Sequence, residues 1–140
     1  MNIAVLIKQV PVSNDVSVDP ETHALVRASS EGMINPADLN AIEAAMALKE
    51  QTEGKVVVFT MGPPDAEKAL RDAMAMGCDE SCLITDRCLA GGDTIATAKV
   101  LARSIEKYGK FDLILSGALS ADGATGQVGA MVAEIGRAHV

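Results

Sequence analysis

The segment KVVVFTMGPPDAEKALRDAMAMGCDESCLIT, Lys55 to Thr85, decides the fold. Its opening, Lys55–Gly62, is a short apolar run with a β-branched centre, which reads as a buried strand. The run breaks at Gly62-Pro63-Pro64, and helix signals follow: Pro64 near the first turn, Asp65 and Glu67 early, and Gly77 as a stop. SCLIT, Ser81–Thr85, is a second short strand. Strand, helix and strand in succession point to neighbouring parallel strands joined across a sheet face.

The same alternation extends in both directions. Upstream, IAVLIK (Ile3–Lys8) reads as a buried strand ended by Pro11. The polar stretch VSNDVSVDPETHALVRAS carries two short β-like pieces and reads as a surface hairpin or excursion. Asn35-Pro36 then opens a helix, with proline at the first helical position and Asn35 able to cap. Leu39, Ile42 and Met46, flanked by Ala41, Ala45 and Leu48, form its apolar face, and it ends near Gly54. Downstream, an Asp93 cap starts a helix whose stripe is Ile95, Ala98, Leu101 and Ile105, with Gly109 as its stop. FDLILSG is a fourth strand, and TGQVGAMVAEIG a last helix with Val128, Met131, Val132 and Ile135 inward. The expected architecture is α/β: a mostly parallel sheet between helices, three layers in all, in one domain over residues 1–140.

Composition narrows the function. With 49% hydrophobic and 22% charged residues the chain is globular rather than disordered. Its aromatic residues are Phe59, Tyr108 and Phe111, too few to stack single-stranded bases, and a net charge of −7 opposes a hold on phosphate backbones. Nucleic acid is not an expected partner. The N-terminal apolar run is too short to span a membrane and has no basic leader, so a soluble, cytoplasmic protein is expected. Cys78, Cys82 and Cys88 lack paired C-x-x-C spacing and read as reduced cysteines packed as small hydrophobes, with no metal site.

In open α/β sheets ligands sit beyond the carboxyl ends of the strands, at a switch in strand order. The segment after the fourth strand, SGALSADGATGQVGAMVAE (Ser116–Glu134), has glycines at 117, 123, 126 and 129. It is neither a dinucleotide fingerprint nor a P-loop, and it contains no lysine. A helix N-terminus can hold phosphate through backbone N–H groups alone, although the glycines could equally serve tight turns. His23 and His139 read as solvated surface residues, and Ser116, Ser120 and Thr125 belong to no nucleophile elbow or triad. Asp122 fits an Asx-type turn or a ligand hydroxyl better than a catalytic base. No catalytic residue is assigned; a holder of a nucleotide-like ligand is the simpler inference.

Four stretches, VLIKQVP, INPADLNAIEAAMALKE, MGPPDAEKALRDAMAMGCDE and SGALSADGATGQVG, together resemble the β subunit of electron transfer flavoprotein, in order and along the whole chain. The resemblance implies a Rossmann-like, adenine nucleotide alpha-hydrolase-like fold and pairing with an α subunit that communicates with redox partner dehydrogenases. In respiratory members β buries a structural AMP. In electron-bifurcating members the similar site holds a second FAD, which takes a hydride from NADH and divides its electrons between two acceptors. IKQVP and DGATGQVG resemble the bifurcating branch, which includes the nitrogen-fixation type, so FAD is the first expectation and AMP the alternative. Two departures bear on that choice: Ala124 stands where the branch has a second Asp, and Ala118 where it has a basic residue.

Carried over by position, the resemblance implies a cofactor site of Leu6, the turn Asn35, Pro36, Ala37 and Asp38, and Met61. The loop from Gly117 to Val128 completes it, with Ser120, Asp122, Gly123, Ala124, Thr125, Gly126 and Gln127. Asn35 could offer its amide to adenine or ribose, Thr125 and Gln127 could bond ribose or phosphate, and N–H groups from Gly123 to Val128 would face phosphate. Core packing is the competing role for Leu6 and Met61. A universal-stress-type ATP- or AMP-binding module is the alternative function, though its glycine pattern matches this loop poorly. Family β subunits continue beyond AEIGRAHV, so a fragment or a truncated relative is expected, with self-association or reduced stability where a partner surface is uncovered.

Overall fold

The computed structural model describes residues 1–11, 16–18, 25–27, 32–85 and 94–117. At its centre lie four parallel strands: β1 (Ile3–Leu6), β6 (Val56–Met61), β7 (Glu80–Ile84) and β8 (Leu113–Ser116), in the spatial order β7-β6-β1-β8. In register, Ile3 pairs with Val56 on one side and Leu113 on the other, and Phe59 with Cys82. The two middle strands are apolar at almost every position because both of their faces are covered: all of β1 and the first five residues of β6 are buried.

Alternation along these strands divides the core. Ile3, Val5, Val56 and Val58 point to the face packed by α1 (Pro36–Thr52) and α2 (Glu67–Ala75). Ala4, Leu6, Val57 and Phe59 point to the face packed by α3 (Thr94–Tyr108), through Ala98, Leu101, Ala102 and Ile105. The three-layer expectation therefore holds, and each large side chain sealed between layers contributes roughly 1.5–3 kcal/mol. On the α3 side the Phe59 ring meets Tyr108 and Phe111 edge-to-face, with centroids 5.3 and 5.7 Å away, and those two rings stack on each other. Cys78 is buried on one face and Cys82 half-buried on the other, both as free thiols.

Among the described residues, α1 follows the expected apolar face at Ala41, Ile42 and Ala45, while Leu39, Met46 and Leu48 are only partly buried. Asp38, Ala41, Ile42 and Ala45 are the buried stripe of α1, the alanines letting its backbone approach the sheet. Proline stands at its first position, but the Asn35 side chain makes no capping bond. The Asn35 carbonyl instead accepts the Asp38 N–H at 2.9 Å, and its side chain is hydrogen-bonded to the Asp38 carboxylate. A 3-10 turn, Pro64–Ala66, leads into α2, and Gly77 ends that segment at φ +115°, a conformation that favours glycine. Asp79 fastens α1 to the sheet: it takes the Lys49 ammonium at 2.8 Å and the Val56 N–H at 2.8 Å.

The polar excursion contains the expected antiparallel pair, β3 (Val16–Val18) with β4 (Leu25–Arg27). A second pair, β2 (Gln9–Pro11) with β5 (Gly32–Ile34), lies just outside it. Reading Pro11 only as the end of the first strand hid this ribbon, where a proline is tolerated because a two-stranded ribbon is all edge. The ribbon is pinned to the first turn of α2: Gln9 Oε1 accepts the Ala69 N–H at 3.1 Å, and Lys68 Nζ donates to the Gly32 carbonyl at 2.8 Å. No helix among the described residues is long and apolar enough to cross a membrane. The Asp93 cap and the final helix fall outside the described residues.

Candidate functional site

The strand order creates one switch point. From β1 the chain moves through β6 to β7 on one side, with α1 and α2 on a common face; it then returns along the opposite face through α3 to β8, on the far side of β1. The chain thus leaves β1 toward one side of the sheet and reaches β8 on the other, and the carboxyl ends of two such strands are where an open α/β sheet forms its ligand crevice.

Between these two strand ends stands a carboxylate. Sheet pairing between β1 and β8 reaches Leu6 and Ser116. Just beyond, the Lys8 N–H donates to Asp38 Oδ2 at 2.8 Å and the Gly117 N–H donates to Asp38 Oδ1 at 3.0 Å. The Asn35 N–H bonds the Lys8 carbonyl at 2.8 Å, so the turn before α1 is tied to the same strand end. Asp38, in the first turn of α1, is 5% exposed and Asn35 is 2% exposed. Burial pushes the Asp38 carboxyl above its ordinary value, against the two N–H donors, the Asn35 side chain and the Lys8 charge, all of which favour the ionised form. Gly117 is required here by space: a Cβ would lie 2.3 Å from Asp38 Oδ1 and 2.8 Å from the carbonyl carbon of Ala37. The first glycine of the loop thus admits the chain's own helix start.

Of the residues named from sequence, Asn35, Pro36, Ala37, Asp38 and Gly117 meet at this point. Leu6 and Met61 belong to the hydrophobic cluster beneath α3, on the other face of the sheet. Leu6 is buried there and Met61 partly buried. Ser120, Asp122, Gly123, Ala124, Thr125, Gly126, Gln127 and Val128 lie outside the described residues, as does Cys88. Sequence reasoning placed Asp38 in the site but missed its two bonds to strand ends. An acid in a helix first turn reads as a complement to the helix dipole, and nothing local shows that the chain returns to it 79 residues later. Gln9 and its bond to α2 were missed for the same reason. Among the described residues no cluster of His, Cys, Asp or Glu could hold a metal ion.

Comparison with known proteins adds a second line. The model of the electron transfer flavoprotein domain matches residues 22–140. The chain is 52% identical over 134 residues to the electron transfer flavoprotein subunit beta of Thermoanaerobacterium thermosaccharolyticum, covering 96% of this chain and 51% of that protein. It is 46% identical to the caffeyl-CoA reductase-Etf complex subunit CarD of Acetobacterium woodii, covering 96% of this chain and 52% of that one. With protein FixA of Azorhizobium caulinodans it shares 46% identity, over 96% of this chain and 49% of the other. The chain spans about half the length of the curated relatives it matches.

Proposed function

The chain belongs to the electron transfer flavoprotein family, and on that premise we propose that residues 1–140 form a nucleotide-binding domain of a β subunit. Its task is to hold a cofactor for electron transfer between dehydrogenases and an acceptor, in a cytoplasmic heterodimer with an α subunit. One observation carries the reading: the turn and the loop start implied by the family motifs are joined at the sheet's switch point, through Asp38, Lys8 and Gly117.

The residues present fit an adenine nucleotide. The Asp38 charge is offset by two N–H donors and by Lys8, so the crevice does not present a bare carboxylate to a phosphate. A 17-residue helix begins there, placing the positive end of its dipole at the crevice. In this reading the main chain of the Asn35–Asp38 turn borders the adenine side, with the Asn35 and Asp38 side chains turned inward, while N–H groups from Gly123 to Val128 hold the phosphate. FAD is the first assignment, supported by IKQVP and by the similarity to FixA- and CarD-type relatives. AMP is the second, favoured by the neutral Ala118 and Ala124. Bound FAD would supply two-electron redox chemistry, whereas AMP would act in structure alone.

The test is to co-express the chain with its α subunit, denature the purified complex and identify the released nucleotides by chromatography and absorbance. Two equivalents of FAD are expected. One FAD with one AMP would assign the β site to AMP, and one FAD without any second adenine nucleotide would refute the site.

A further inference from the structure

We propose that Asp38 is a positioning residue: its carboxylate joins the carboxyl ends of β1 and β8, and so sets where the ligand loop begins, without touching the ligand itself. The proposal rests on the nucleotide reading for its consequence but not for its geometry.

Three observations carry it. First, regular pairing between β1 and β8 ends at Leu6 and Ser116; the Ile7 N–H stays with Phe59 on β6, and just beyond, the Lys8 and Gly117 N–H groups turn to one shared side chain. Asp38 occupies the place of a missing rung in the ladder. At a switch point the two chains must diverge, so direct backbone pairing cannot continue, yet their N–H groups still need acceptors. A carboxylate has two oxygens, and each serves one strand. Second, both oxygens are engaged and the residue is 5% exposed, which turns the group into the protein rather than toward a ligand. Third, Gly117 packs against Ala37 and Asp38 so closely that the first residue of the loop has its position dictated by the helix start. A shift of about 1 Å in such a support is enough to degrade a binding geometry built further along the loop.

The variant is Asp38→Asn, which keeps the shape but can offer only one oxygen to two N–H donors. In native-state hydrogen exchange the Lys8 and Gly117 amides should lose protection together. Affinity for added AMP in the ligand-stripped complex should fall by about tenfold or more, equivalent to one lost charge-assisted hydrogen bond. Affinity for 2′-deoxy-AMP and 3′-deoxy-AMP should fall by the same factor, because a positioning residue does not distinguish ribose hydroxyls. A control, Asp79→Asn, perturbs a carboxylate away from the crevice and should leave AMP affinity within about twofold. A loss confined to AMP, with the deoxy analogues unaffected, would make Asp38 a ligand contact and overturn the proposal. Unchanged exchange at Lys8 and Gly117 would overturn it as well. Should the variant not fold, the wild-type protein decides: by NMR the Lys8 and Gly117 amides must follow one common titration, that of the Asp38 carboxyl, and independent behaviour refutes the link. If the stripped wild-type complex binds neither AMP nor FAD, the nucleotide reading falls, while the exchange and titration results still judge the link.

Discussion

Replacing Gly117 with alanine tests how tightly the switch point is built. The added methyl would meet Asp38 Oδ1 at 2.3 Å, the Ala37 carbonyl carbon at 2.8 Å and the Asp38 backbone nitrogen at 2.9 Å, two of them main-chain atoms that no rotamer change can move. Relief requires β8 and the start of α1 to part. Overpacking of this kind costs about 1–3 kcal/mol. Parting also stretches the Gly117 N–H bond to the carboxylate, a charge-assisted bond of about 1.5–3 kcal/mol. Reduced freedom of the unfolded chain returns about 0.4–1 kcal/mol. The expected net loss is about 2–5 kcal/mol, read as a fall of about 1 M or more in the urea midpoint at an m-value typical of this size. Gly62→Ala is the matched control, because its nearest neighbour is a side-chain methyl at 3.3 Å. A Gly117→Ala unfolding free energy within about 0.5 kcal/mol of wild type would refute the close packing of strand end and helix start.

The Thr60 hydroxyl is fully buried and has no hydrogen-bond partner among the described residues, so Thr60→Val should stabilise the protein by about 1 kcal/mol in the same urea assay; destabilisation would mean that the hydroxyl is used. Tyr108 donates to Glu80, which pushes the phenol up to about 12. As the chain's one tyrosine, with no tryptophan, it can be titrated by ultraviolet absorbance, and Glu80→Gln should bring its midpoint back toward 10.0. The sign is that of a raised folded value: this bond's contribution is complete below 10.0 and is lost as pH rises toward about 12. Asp79 has the opposite sign. The Lys49 ammonium and the Val56 N–H hold its carboxyl below 3.8, so its contribution is present above that value and lost as pH falls through the folded one. Asp79→Asn should therefore flatten the acid limb of the stability profile, by no more than about 1 kcal/mol for so exposed a pair; an unchanged limb would remove the assigned role.

The parallel sheet was legible because each βα unit carries its own local punctuation. Val56–Met61 and Glu80–Ile84 fall within a residue or two of the runs read as strands, and Pro64 and Gly77 bracket the helix between them. The family was legible as well, since its motifs are runs of adjacent residues. Long-range bonds had no such signature. Lys8, Asp38 and Gly117 are three distant positions whose meeting is set by strand order, and the order β7-β6-β1-β8 is written in no local pattern. The side chain of Asn35 shows the same limit: next to Pro36 it reads as a cap, but a buried carboxylate nearby takes its amide instead.

The position of β1 has a consequence for synthesis. Ile3 pairs with Val56 and also with Leu113, which is translated 110 residues after it. At rates of 5–20 residues per second, roughly 5–20 s pass during which a wholly apolar strand has one hydrogen-bonding edge without its final neighbour. In that interval the strand is open to mispairing, and Asp38 has been made but its second amide has not. On the proposed function, ligand binding beside these strand ends becomes available only after β8 has docked on β1, so ligand capture follows that pairing and cannot guide the earlier steps.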